Sequence, residues 1–284
     1  AGIGIASTSQ QGGDHVLDYT FREYNTEDPQ DALPHLQTVL KENNLESHFS
    51  RLFEMRIGYV QTTKNYDNVF QMDSVMESLR NLTQSEDRDV LLNNLSYASY
   101  PHLICLSDYN GLLKAAGKPA LTLAENEAAV YQDTEFTNAS RMAMFNKILS
   151  GHPEAMLEGN PVYLTGEIQS VDLVTDRSIT LSFALILPDE QFLQYTNGDY
   201  EVYINGIMSQ DATRAGSLMN AISDMNARLD GICLQDMGIE YESYLQNIGR
   251  QLFYMVAASY ITIYLAIIFL VVANTIMGVQ FLMD

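Results

Sequence analysis

The sequence predicts an α+β domain that runs into one long apolar helix, and three observations predict it. Strand–helix–strand patterns occupy residues 17–61 and recur at 200–234. An acidic block of mixed pattern lies between them, over residues 65–161. Residues 251–283 then carry no charged side chain, although the whole chain has a formal net charge of −21. A bilayer core takes about 20 apolar residues in a helix, so that run is long enough to span one.

Residues 1–16 begin with the small apolar string Ala1-Gly2-Ile3-Gly4-Ile5-Ala6 and show neither an initiator Met nor a signal-peptide pattern. They are expected to be a leader or the end of a preceding membrane helix, and the chain is read as a piece of a larger membrane protein. Leu17, Tyr19 and Phe21 then alternate with polar residues, as in a half-buried strand over 17–24. Leu33, Leu36, Val39 and Leu40 have helical spacing, with Pro34 tolerated in the first turn of a helix over 31–44. Alternation returns over 49–61 through Leu52, Met55 and Ile57.

The block at 65–161 is read as an inserted mixed subdomain. It holds short helices at 73–82 and 88–95, a strand at 100–106, and a helix that Ser107 caps and Gly117 ends. Strand candidates follow at 119–131, 161–174 and 178–187. The split core, 17–64 and 162–238, closes with a strand at 200–207, a helix at 211–229 and a short strand at Gly231-Ile232-Cys233-Leu234. Each strand–helix–strand unit is entered by Asp-Tyr (Asp18-Tyr19 and Asp199-Tyr200), which suggests two pseudo-symmetric halves of one layer.

From residue 239 the spacing reads as helical. Tyr241, Tyr244, Leu245 and Ile248 fall on one face, and no proline interrupts 239–283. A stalk helix at 239–250, with Gly249 as a hinge position, is expected to continue into a membrane helix at 251–283. That helix is more than a greasy anchor. Ala258, Thr262 and Ala266 recur at four-residue intervals, followed by Ala273 and Gly278, and small residues let helices approach closely in lipid. Asn274 adds an amide that wants a partner in hydrocarbon, so a packed bundle is expected.

Catalytic and cofactor signatures are missing from the pattern. There is no Gly-x-x-x-x-Gly-Lys-Ser/Thr loop for ATP. The five histidines are scattered, with neither His-Glu-x-x-His nor Cys-x-x-Cys, so no metal site is expected. Glu86, Asp87 and Asp89 read as a solvated acidic face, and Asn81, Asn94 and Asn138 match a common glycosylation pattern. Cys105 and Cys233 share an Ile-Cys-Leu context and are expected as two small buried thiols in separate strands. The acidic charge argues against nucleic acid as a partner and suits cations or cationic peptides.

The run Phe269-Leu270-Val271-Val272-Ala273-Asn274-Thr275-Ile276-Met277-Gly278-Val279-Gln280-Phe281-Leu282-Met283 resembles the first helix of an FtsX-like permease domain in bacterial ABC transporters. Leu106-Ser107-Asp108-Tyr109-Asn110, with Gly117-Lys118-Pro119 and Leu121-Thr122-Leu123, is similar to stretches in the extracytoplasmic domains of such permeases. The resemblance implies a MacB-like extracytoplasmic fold, placed outside the cell membrane, with residue 284 at the cytoplasmic face. It implies a non-enzymatic permease subunit of a multi-pass protein, working with a second permease copy or half. Its ATP would be bound by a separate ABC ATPase subunit. ATP-driven closure would move the stalks and reshape the outer domain, in export, antimicrobial-peptide resistance or sensing, or lipid or peptide extrusion. Implied partners are that ATPase, the bilayer, and a cationic peptide or cell-envelope ligand. The rival reading is a membrane-anchored receptor or scaffold that regulates a cell-wall enzyme without transport.

Overall fold

The alternation at the start of the chain is realised as β1 (Tyr19–Glu23), followed by α1 (Ala32–Glu42) and β2 (Phe49–Tyr59). The structure, a computed structural model, describes residues 16–24, 31–63, 65, 68–175, 179, 181–209 and 218–283. The expected leader and the start of the helix expected at 211–229 lie outside the described residues. α1 ends where Asn44 takes a left-handed φ of 57°, letting Leu45 N–H donate back to Leu40 O at 2.8 Å.

The middle of the chain alternates short helices and strands. β3 (Phe70–Gln71), α2 (Asp73–Arg80) and α3 (Glu86–Ser96) lead to β4 (His102–Cys105) and α4 (Leu106–Ala115). Next come β5 (Glu127–Tyr131), α5 (Ala139–Leu149), β6 (Glu154–Leu157), β7 (Asn160–Gln169) and β8 (Ala184–Leu187). α6 (Asp189–Thr196), β9 (Tyr200–Met208), α7 (Leu218–Gly231), β10 (Ile239–Ser243) and α8 (Tyr244–Met283) complete the chain.

The fold is mixed α+β. Among the described residues ten strands form one sheet in the order β10-β1-β9-β2-β4-β8-β5-β7-β6-β3. Neighbours are antiparallel except β4 with β8 and β5 with β7. Both split-core segments and the 65–161 segment supply strands to it, and β4 sits directly between β2 and β8.

One face of the sheet is covered by α4. Its Tyr109, Leu112 and Leu113 pack with Met55, Ile57, Ile104, Ile186 and Tyr203, and with Val171, Leu173 and Val174 from the β7–β8 connection. Burying each large apolar side chain there contributes roughly 1.5–3 kcal/mol. Elsewhere in the core Tyr19 and Phe21 stand edge-on to Phe49, and the Tyr19 hydroxyl reaches the backbone of α7 at Ile222 O, 2.9 Å. α6 approaches β2 so closely that a Cβ on Gly58 would meet Thr196 Cγ2 at 2.9 Å. Only glycine fits there.

Four expectations are corrected. Residues 231–234 are not a strand: α7 runs to Gly231, Cys233 turns with a φ of 53°, and a 3-10 turn follows at Leu234–Met237. The strand that closes the second unit is β10, so residues 239–243 are not a stalk helix. Ile239 and Ser243 are fully buried while Glu240 is exposed, and the period-two pattern won over the helical one because β1 offers a pairing edge. Ser107 does not cap α4, which starts one residue earlier from Cys105 with no side-chain cap. Cys233 is exposed and outside any strand, whereas Cys105 is buried at the end of β4, and both are free thiols.

The other differences are of extent. The strand candidates at 119–131, 161–174 and 178–187 shorten to β5, β7 and β8. The helices α5 and α6 and the strands β3 and β6 were not expected. Asn138, read only as a glycosylation match, is the N-cap of α5, accepting from Arg141 N at 2.8 Å.

Candidate functional site

The last strand and the apolar helix follow one another without a loop: Ser243 ends β10 and Tyr244 begins α8. The strand end is held from two sides. Asn226 of α7 donates from Nδ2 to Ser243 Oγ at 2.9 Å, and its Oδ1 lies 2.8 Å from the Tyr19 hydroxyl of β1. Thr175 Oγ1 donates to Glu242 O at 3.0 Å. Tyr241, expected in the stalk, is a strand residue whose hydroxyl donates to Asp230 Oδ1 at 2.7 Å. Burial, then that carboxylate, raises the Tyr241 pKa.

A buried polar cluster holds Thr175 in turn. Its N–H donates to Thr20 Oγ1 at 2.8 Å, Thr20 donates to Asn205 Oδ1 at 2.7 Å, and Asn205 Nδ2 donates to Leu173 O at 2.8 Å. Buried polar groups bonded this way fix one arrangement, because breaking any bond orphans a group away from water. Sequence reading passed over Asn226 and Asn205. The available signal was an Asn on an apolar face, since Asn226 lies four residues after Ile222 and three before Leu229.

α8 is an unbroken helix of 40 residues. Its stretch Val256–Ile276, 21 residues, is long and apolar enough to cross a membrane, and none of its residues is buried. Large apolar side chains line it in the open, among them Tyr260, Phe269 and Leu270. Tyr244, Leu245, Ile248 and Gly249 are all helical, and a Cβ on Gly249 would meet nothing within 4 Å. The expected packing residues divide. At roughly 100° per residue, Ala258, Thr262, Ala266 and Ala273 share a sector about 80° wide. Asn274 points roughly 120° away from its centre. Thr262 Oγ1 donates to Ala258 O at 2.9 Å, so its hydroxyl is satisfied within the helix. No hydrogen bond engages the Asn274 carboxamide among the described residues.

A second constellation lies where β2, β4, α4 and α6 meet. Asp108 takes Arg56 in a bidentate grip, from Nε at 2.7 Å and Nη2 at 2.8 Å, and also accepts the Arg56 backbone N–H at 2.8 Å. Those bonds raise the Arg56 pKa further. Asp189 Oδ1 accepts from Ser107 N at 2.9 Å and from Cys105 Sγ at 3.2 Å. Burial, then the Asp108 charge, pushes the Cys105 thiol up to about 12, so it stays protonated and unreactive. Beside this cluster runs an open groove of about 310 Å³ between Leu33 of α1 and Asp108 and Gly111 of α4, floored by Leu52, Phe53 and Glu54.

Among the described residues no three His, Cys, Asp or Glu side chains converge as metal ligands would. The acidic trio at 86–89 sits in the first turn of α3, where negative charge suits the helix dipole, and Asp87 accepts from Asn138 of α5 at 3.0 Å. No protein-family model matches the chain, and no curated protein matches it.

Proposed function

We propose that this chain is the extracytoplasmic domain of an FtsX-like, MacB-like permease subunit of a bacterial ABC transporter, together with the helix that opens its FtsX-like permease domain. One observation carries the reading: the apolar helix α8 follows directly from a paired strand of the sheet, with no linker between Ser243 and Tyr244. A tether needs only a flexible connection. A strand pinned by Asn226 and Thr175 and fused to a helix suits a part that passes movement between membrane and domain. The lever then begins in the sheet at β10, and the helical stalk is the segment from Tyr244 to the start of the span. A separate ATPase subunit supplies the ATP hydrolysis, a second permease copy or half completes the bundle, and the chain itself does no chemistry.

Cys233 gives the orientation test. It is exposed while Cys105 is buried. A membrane-impermeant maleimide added to intact cells is expected to label Cys233 and to leave a Cys233→Ser variant unlabelled. Labelling that appears only after lysis would overturn the outward placement. The transport reading is tested by isolating the tagged protein from its native membrane in mild detergent. An ATPase subunit is expected to accompany it, and ATP with vanadate is expected to change the labelling rate at Cys233. Recovery without any ATPase, and with an unchanged rate, would favour the anchored receptor or scaffold.

A further inference from the structure

Strand β2 is paired along nearly its whole length on one side and along only three residues on the other. β9 partners it from Phe49 to Gly58, whereas β4 partners only Ile57, Gly58 and Tyr59. β4 ends at Cys105, and the chain turns at once into α4. No strand lies beside residues 51–55 on that side among the described residues. All four residues from Arg51 to Glu54 are half-buried, in place of the in-and-out alternation of a strand enclosed between neighbours.

Arg56 shows which backbone groups face the opening. Its N–H donates to Asp108 Oδ2 at 2.8 Å instead of to β9. Bonding direction alternates along an antiparallel ladder. The N–H and C=O of Glu54 and Leu52, two and four residues back, therefore point the same way, into the groove beside α4. The Asp108 carboxylate occupies the place of a neighbouring strand's carbonyl. Leu33 and Gly111 flank the space on its two sides, and about 310 Å³ is open between them.

Charge selects the occupant. The Arg56 guanidinium is taken up by Asp108, and that of Arg51 lies 5.1 Å from the centre of the Phe53 ring. Glu54 has no ion pair among the described residues, and the chain carries a formal net charge of −21. A second copy of the chain would bring a second Glu54 and a like-charged field to the same edge, which disfavours self-pairing. An extended basic segment brings the complement, and strand addition to an open sheet edge is a general mode of peptide recognition.

We propose that the open edge of β2 docks an extended, basic segment of a partner protein, which adds a strand beside residues 51–55 and sets a Lys or Arg against Glu54. The site does not depend on the transport reading, since it needs only the edge, the groove and one carboxylate. Its test uses the 284-residue chain in detergent micelles and a synthetic peptide of alternating Lys and Val. Amide hydrogen exchange at Leu52 and Glu54 is expected to slow at least tenfold when the peptide is added. Glu54→Lys, or the milder Glu54→Gln should the first fail to fold, is expected to weaken binding several-fold. The same peptide with alternate backbone amides N-methylated keeps its charge and is expected to lose binding. Equal binding of the methylated peptide, or binding that leaves Leu52 and Glu54 unprotected, overturns the proposal. A dimer in which these amides are protected without peptide would make a second copy the occupant and overturn it as well.

Discussion

His102 is the residue whose surroundings most clearly set its protonation. It lies across from Tyr59 in the β2–β4 ladder, with ring centres 4.1 Å apart, and Tyr59 stacks on Tyr100 at 5.1 Å. Burial lowers its pKa to about 4, and the weaker pull of Glu201 in the other direction does not restore it. In an unfolded chain a histidine titrates near 6.5. The unfolded state therefore binds the proton first, so neutral His102 contributes stability that is fully present above about pH 6.5. That contribution is lost as pH falls toward 4, and amounts to roughly 3 kcal/mol at most. His102→Phe keeps an aromatic ring against Tyr59 and removes the titration. Thermal unfolding from pH 7 to pH 4 is expected to show a shallower loss of stability in the variant than in the native chain. Parallel slopes would mean that folded His102 takes up its proton at the same pH as an unfolded histidine.

At the scale of elements, the legible parts were those with local, repeated patterns. α1 could be read from Leu36, Val39 and Leu40, and β9 from Tyr200, Val202 and Ile204. β10 could not, because Tyr241 and Tyr244 satisfy a helical spacing while Ile239, Tyr241 and Ser243 satisfy a strand. Only a partner decides, and β1 lies 224 residues earlier for the pair Tyr19 and Ser243. The open edge of β2 was hidden for the same reason, since its visibility depends on where β4 stops. α5 was missed although Asn138 marked its start.

On the proposed reading, the boundary at Ser243 leaves the segment of α8 from Tyr244 to the start of the span as the stalk. Gly249 is exposed, helical and free of neighbours that a methyl group would strike. Gly249→Ala is expected to stabilise that turn by roughly 0.5–1 kcal/mol. Amide exchange around residues 245–253 is expected to slow by about twofold to fivefold, in line with that figure. If the glycine is a working hinge, the alanine variant also reduces the ATP-dependent change in Cys233 labelling. An unchanged labelling response alongside slower exchange would make the stalk a rigid rod that never bends there.

For the whole molecule, the question is whether α8 anchors the domain or belongs to a bundle. Its apolar side chains are satisfied by lipid alone, so hydrophobicity cannot answer. The sector of Ala258, Thr262, Ala266 and Ala273 can. Replacing Ala258 and Ala266 by Leu makes the span more apolar, so membrane insertion is expected to be retained, while a close helix contact on that sector is blocked. Asn274→Leu tests a different sector of the helix, roughly 120° away, where the amide lacks a partner among the described residues. An interhelical hydrogen bond in lipid contributes about 0.6–2 kcal/mol, so its loss is expected to weaken association about threefold to thirtyfold. Cross-linking in native membranes reads both variants. A helix that packs on both sectors loses association in each; one that packs through small residues alone tolerates Asn274→Leu. A cross-linking pattern identical to that of the native chain in both variants would make α8 a plain anchor, and the case for a moving bundle would fall with it.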